Sequence, residues 1–188
     1  MHIEDPLQPW SVESSEVAYQ ALPWISVQRQ VVKLPDGRRI DDYHHIDLGE
    51  HVCCCVQTVD GRLVLVRHYH HGVGKVCLGL PAGMIAAGEA PLAAAQRELL
   101  EETGYEAEDW EALGVFIQHG NYRCGKAHFF RARRAVQVCP PQPGDLEEMQ
   151  TVLLSPAETI AAIRCGEMPL MGSVAGLALA LYDWGLSL

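Results

Sequence analysis

No hydrophobic run in this chain approaches the ~18–20 residues needed to cross a membrane as a helix, and no basic-then-apolar leader opens it. There is no Cys-x-x-Cys pair and no His/Cys spacing of the zinc-binding kind. Internal repeats are also missing. Positive charge is scarce: 14 Lys and Arg stand against 24 Asp and Glu, for a formal net charge of −10. Such a field is unfavourable for a dedicated partner of nucleic acid or of a membrane surface, so neither is expected. Arg131, Arg133 and Arg134 form a local basic cluster, read as a solvated edge. These absences predict a soluble, cytoplasmic protein.

What is present is enough for one well-cored domain: 188 residues, 48% of them hydrophobic. Seven cysteines are an odd count, and Cys53, Cys54 and Cys55 are consecutive. Neighbours in a strand point to opposite faces, so the triplet cannot form one ligand set. The cysteines are read as small core residues in a reducing compartment.

The first 22 residues lack clear periodicity and read as a partly ordered arm. Strands are predicted at Trp24–Leu34 and Arg39–Leu48 around the turn Pro35-Asp36-Gly37, then at His51–Val59 and Arg62–Tyr69 around Asp60-Gly61. Val76–Pro81 leads into a Gly- and Ala-rich loop over Ala82–Gly88. A helix follows from near Ala90, with Pro91 in its first turn, Leu92, Ala95 and Leu99 on its apolar side, and Gly104 at its end. Two more strands are expected at Trp110–Gln118 and Ala127–Val138, and another at Thr151–Leu154. Ser155-Pro156-Ala157-Glu158 reads as a capping box opening a helix to about Cys165, and a last apolar helix runs from about Gly172 to Trp184. This order suggests an α/β protein with a mixed sheet covered by helices on both faces.

The central helix carries a puzzle. At about 100° per residue, taking Glu98 as 0° puts Glu102 near 40° and Glu101 near −60°. Three carboxylates share roughly 100° of arc, and like charges at i,i+4 cost about 0.2–0.5 kcal/mol per pair. Arg97 alone cannot neutralise them. Ala90 and Ala94, upstream on the same arc, are too small to obstruct an ion or a phosphate. Hard divalent cations prefer carboxylate, carbonyl and water oxygens and bridge to phosphates, so they would offset the repulsion. Gly83 lets backbone approach closely, so a carbonyl near Ala82 could join the coordination, while Arg97 can pair with Glu89 or Glu101 and hold the loop to the helix.

Residues 83–105, GMIAAGEAPLAAAQRELLEETGY, read G-x5-E-x7-R-E-U-x-E-E-x-G-U, where U is bulky and apolar or aromatic. This resembles the Nudix box of hydrolases that cleave nucleoside diphosphates linked to another moiety, and every specified position is filled. The preceding stretch, LVLVRHYHHGVGKVCLGLPAGMIAAGE, is similar to ADP-ribose and other ADP-sugar pyrophosphatases, which typically carry V-R-Q-Y-R and E-L-P-A-G there. The resemblance implies a Nudix fold, its mixed sheet sandwiched between helices (α/β/α), with an N-terminal β-strand subdomain over residues 1–50 and the hydrolase domain over 51–188. It implies Glu98 and Glu102 as leading Mg²⁺ ligands, with Mn²⁺ the alternative metal, Glu101 as a third ligand or a supporting group, and Ala82 by its carbonyl. Glu89, Arg97 and Gly104 are then structural in the motif.

By the same resemblance Arg67 contacts substrate phosphates, Gly83 adjoins the substrate, and Trp24 or Tyr43 stacks on adenine. A late acidic loop supplies a base: Glu148 fits best by spacing, Glu147 and Asp145 are alternatives, and Glu98 serves as base in some relatives. Two positions depart from the pattern. Gly79 replaces the glutamate before Leu-Pro-Ala-Gly, removing an acidic group near the metals. His119-Gly120-Asn121 stands where Ser-Pro-Gly is common, so His119 and Asn121 either bond a different sugar or only form the turn. The expected activity is metal-dependent cleavage of ADP-ribose to AMP and ribose 5-phosphate by a homodimer. GDP-mannose, a dinucleoside polyphosphate or a damaged nucleotide are alternative substrates, and a nucleotide sensor without turnover is the alternative class.

Overall fold

The computed structural model describes residues 7–144 and 148–185, the side chain of Asp183 excepted. The chain forms two compact units, one of residues up to Gly49 with Ile117–Gly125, the other of Glu50–Phe116 with Lys126 onward.

The smaller unit is an antiparallel meander of β1 (Ser11–Ala21), β2 (Ile25–Lys33) and β3 (Arg39–Asp47). Pro35-Asp36-Gly37 makes the predicted turn: Gly37 has φ +87° and the Asp36 side chain accepts from the Arg38 amide at 3.0 Å. The arm expected over the first 22 residues is instead an eleven-residue strand, β1, nearly all of it exposed. Its periodicity is invisible because it has no buried face within the chain. Ile46 of β3 pairs with Arg123, and the Tyr43 hydroxyl donates to the Asn121 carbonyl at 2.7 Å.

In the larger unit β4 (Glu50–Thr58) lies between β9 (Arg123–Gln137), parallel to it, and β5 (Leu63–His70), antiparallel; β10 (Gln150–Leu154) pairs with β5 on its far side. β6 (Lys75–Gly79) pairs with β5, β7 (Ala82–Met84) with β4, and β8 (Tyr105–His119) with β9. β7 falls in the segment predicted as loop, being too short to show a period. Helices α1 (Pro91–Thr103), α2 (Pro156–Arg164) and α3 (Met171–Asp183) complete the unit.

Strand alternation divides the core. Val52, Cys54 and Val56 point to one face, with Ala94, Ala95 and Leu99 of α1. Cys53 and Cys55 point to the other, with Leu177, Ala180 and Leu181 of α3. The cysteine triplet is thus a central strand buried on both sides, and the sheet has helices on both faces as expected. The core reading holds for four cysteines; Cys124 and Cys139 are half-buried and Cys165 is exposed. The capping box of α2 forms, with the Glu158 amide donating to Ser155 Oγ at 3.3 Å and the Ser155 amide donating to Glu158 at 2.8 Å.

Candidate active site

Helix α1 presents the acidic residues because its other side is anchored. Ala94, Ala95 and Leu99 are fully buried. Ala94 therefore sits beneath the helix and not on the open acidic arc, and Leu92, expected on the apolar side, is exposed. The helix ends at Gly104, in the left-handed region at φ +73°, where a Cβ would strike the Cys139 carbonyl. The Gly104 carbonyl accepts from the Val138 and Cys139 amides, and Gln142 N–H donates to the Glu101 carbonyl at 2.8 Å. The breaker-rich loop is thereby fastened over the acidic end of the helix.

Arg97 binds both partners that the sequence suggested, and more. Its Nε and Nη2 grip Glu89 as a fork at 2.9 and 3.0 Å, and Nη1 reaches Glu98 at 2.7 Å and Glu101 at 3.0 Å. Nη2 also donates to the Met84 carbonyl at 3.1 Å, tying loop to helix. The Arg97 guanidinium, helped by the Ala86 amide, lowers the Glu89 pKa to about 2. One cation thus faces Glu89, Glu98 and Glu101, and Glu102 adds a further carboxylate on the same helix.

Glu102 is 6% exposed and its Oε2 accepts the Ala82 amide at 3.1 Å. The Glu98 carboxylate lies directly over Gly83, where any Cβ would overlap it. Glycine is required there by close approach, with no unusual backbone angle involved. A buried carboxylate and a mostly buried one, both beside backbone of the Ala82-Gly83 strand, are hard oxygen donors suited to Mg²⁺ or Mn²⁺. Among the described residues no three His, Cys, Asp or Glu side chains converge as a complete ligand set. Mg²⁺ usually takes one or two carboxylates and fills its shell with water and substrate phosphate. Glu101 is far more open, its side chain 49% exposed and tied to Arg97.

The structure brings Arg67 and Glu148 together: with Tyr69, Val76 and Gln150 they line one cavity of about 650 Å³. Asp145 and Glu147, the alternative bases, lie outside the described residues. In the smaller unit Trp24 is not in a strand but in the turn before β2, with 66% of its surface exposed. Tyr43 meets Trp10 edge-on at 5.8 Å, an aromatic neighbour that the sequence did not suggest. His119 forms the turn: its Nδ1 accepts from the Asn121 and Tyr122 amides at 3.3 and 3.2 Å, and its ring stacks on Tyr122. Gly79 leaves no gap where a glutamate is common. A Cβ there would come within 3.3 Å of Leu170 and 3.4 Å of Ser173, so the start of α3 already fills the space.

The NUDIX domain model matches residues 47–166, and the nucleoside diphosphate sugar hydrolase N-terminal domain matches residues 10–46. An ADP-sugar pyrophosphatase of Mus musculus is 40% identical over 98 residues, 49% of this chain and 44% of that protein. The ADP compounds hydrolase NudE of Escherichia coli is 44% identical over 78 residues, 42% of each. The chain thus matches less than half the length of these two relatives. A crystal structure of an ADP compounds hydrolase superposes with a TM-score of 0.81 at 25% identity, covering 97% of this chain and 100% of that one. With its box intact on α1 and the domain match spanning more than half its length, the chain belongs to the Nudix family.

Proposed function

We propose that this protein is a divalent-metal-dependent pyrophosphatase of ADP-linked sugars, with ADP-ribose, giving AMP and ribose 5-phosphate, as its substrate and Mg²⁺ as its metal. The observation that carries the reading is the Gly83–Glu98 close approach beside the Ala82–Glu102 hydrogen bond, which sets two carboxylates against one strand of backbone. Similarity to proteins named for ADP-sugar and ADP-compound hydrolysis supports the substrate class.

Glu98 and Glu102 would hold the metal, which lowers the pKa of a bound water and polarises phosphoryl oxygens. Arg97 keeps the Glu98 carboxylate aimed over Gly83 through its 2.7 Å bond, while its fork on Glu89 prevents the guanidinium from swinging away. Arg67 faces the cavity as a fixed positive charge for phosphate oxygens, where charge accumulates as the leaving phosphate departs. Glu148, exposed on the same cavity wall, would accept the proton of the attacking water. Trp24, with most of its ring open, and Tyr43 offer aromatic surface for adenine.

The protein acts in the cytoplasm as a homodimer. Val12, Val17 and Tyr19 of β1 expose 57–58% of their surface, apolar area that a second copy would cover. The test is product analysis with ADP-ribose, ADP-glucose, GDP-mannose and diadenosine polyphosphates, with Mg²⁺ and with chelator. Mg²⁺-dependent AMP release fastest from ADP-ribose supports the reading. Faster turnover of GDP-mannose would move the substrate, and metal-independent binding without turnover would replace catalysis by sensing.

A further inference from the structure

A second polar cluster stands on the sheet face that carries Glu98. Glu50, the first residue of β4, accepts from Lys126 Nζ at 2.7 Å and meets His128 Nε2 at 2.6 Å. A carboxylate can only accept here, so the His128 proton is on Nε2. Lys126 and Glu50 each leave 38% of their side chains exposed, while His128 leaves 14%. The Lys126 hydrogen bond, then that of His128, lowers the Glu50 pKa, so the carboxylate remains charged.

Register places this cluster relative to the acidic helix. Val52 of β4 pairs with Gly83 of β7 on one side and with His128 of β9 on the other, and Glu50 pairs with Lys126. Residues paired across a ladder share a face. Lys126, Glu50 and His128 therefore share the face on which the Glu98 carboxylate lies over Gly83. Two strand spacings, roughly 10 Å, separate the His128 and Gly83 backbones. That is about the span of a diphosphate with its first substituent atoms. In a chain of net charge −10, Lys126 and His128 bring two donors to one carboxylate on the face of the acidic helix.

We propose that Lys126 and His128, gathered on Glu50, form a binding rim for phosphate oxygens of the diphosphate substrate. This rests on the pyrophosphatase reading. In the free protein Glu50 occupies the donors and holds them in place; a substrate phosphate takes over the Lys126 ammonium. Lys126 is a binding residue and Glu50 a positioning residue that also competes with the ligand.

The test uses the full chain with Mg²⁺ and the methylene-bridged analogue of ADP-ribose, in which CH₂ replaces the oxygen between the phosphorus atoms. Binding is read by calorimetry, with adenosine as the uncharged control. Lys126→Met should weaken the analogue about tenfold, the scale of one lost charge-assisted hydrogen bond, and leave adenosine unchanged. Lys126→Arg should restore most of the affinity. Glu50→Gln should tighten the analogue, because it removes the competing charge; a purely structural role would not produce that gain. Wild-type affinity in Lys126→Met, equal loss for adenosine, or weakening in Glu50→Gln would overturn the rim, as would failure of the wild type to bind the analogue. ADP-ribose turnover is measured separately. Loss of analogue binding in Lys126→Met with no turnover by the wild type would sink the hydrolase reading and leave the rim standing.

Discussion

Glu102 and Glu101 are neighbours in sequence with opposite surroundings. Glu102 is buried against the Ala82 amide, whereas Glu101 points outward into the Arg97 guanidinium. Glu102→Gln keeps an oxygen to accept that amide, so the fold should persist while the metal loses a charged ligand. Turnover is expected to fall by about a hundredfold or more, with the unfolding midpoint little changed. Near-normal turnover at an unchanged midpoint would contradict the ligand role. Gly83→Ala tests geometry alone: its methyl would displace the Glu98 carboxylate, and a misplacement on that scale costs about a hundredfold in rate. Glu89 supplies a pH prediction. Its folded pKa, about 2, lies below the ordinary 4.5, so its pairing with Arg97 stabilises the protein above about pH 4.5. That contribution is lost as pH falls from 4.5 towards 2. Thermal midpoints of the wild type and Glu89→Gln should therefore converge on acidification through that window; a gap that stays constant would contradict the pairing.

At the scale of elements, what the sequence revealed depended on whether local chemistry or partners decided the structure. α1 and α2 were legible because Pro91, Gly104 and the Ser155–Glu158 box are local signals, and each does what its chemistry requires. Ser155→Ala should cost about 1 kcal/mol in chemical denaturation, and no loss would mean that the cap is idle. β1 was missed because a strand exposed on both faces shows no alternation. β7 was missed because three residues carry no period, yet it is the strand that meets Glu98 and Glu102. The crowding of Glu98, Glu101 and Glu102 on one helix was legible from spacing. The Met84 carbonyl that anchors Arg97, the Leu170 and Ser173 filling above Gly79, and the Lys126–Glu50–His128 cluster were not, because each joins residues distant in sequence.

For the whole molecule, the candidate residues Glu98 and Glu102 of α1, Arg67 of β5 and Glu148 of the loop before β10 all lie in the larger unit. The smaller unit has little core of its own: Val32 is its only fully buried hydrophobic among the described residues. β1 has no buried face within the chain, and a second copy laid over it would add apolar burial to this unit. Sedimentation should give twice the 20.7 kDa chain mass, and Val17→Asp should shift it towards one chain. Hydrolysis dependent on the α1 carboxylates is read by AMP release from ADP-ribose with Mg²⁺, with chelator, and with Glu102→Gln in Mg²⁺. Rapid release is expected in the first case and almost none in the other two. Release that survives both chelation and the substitution would contradict it.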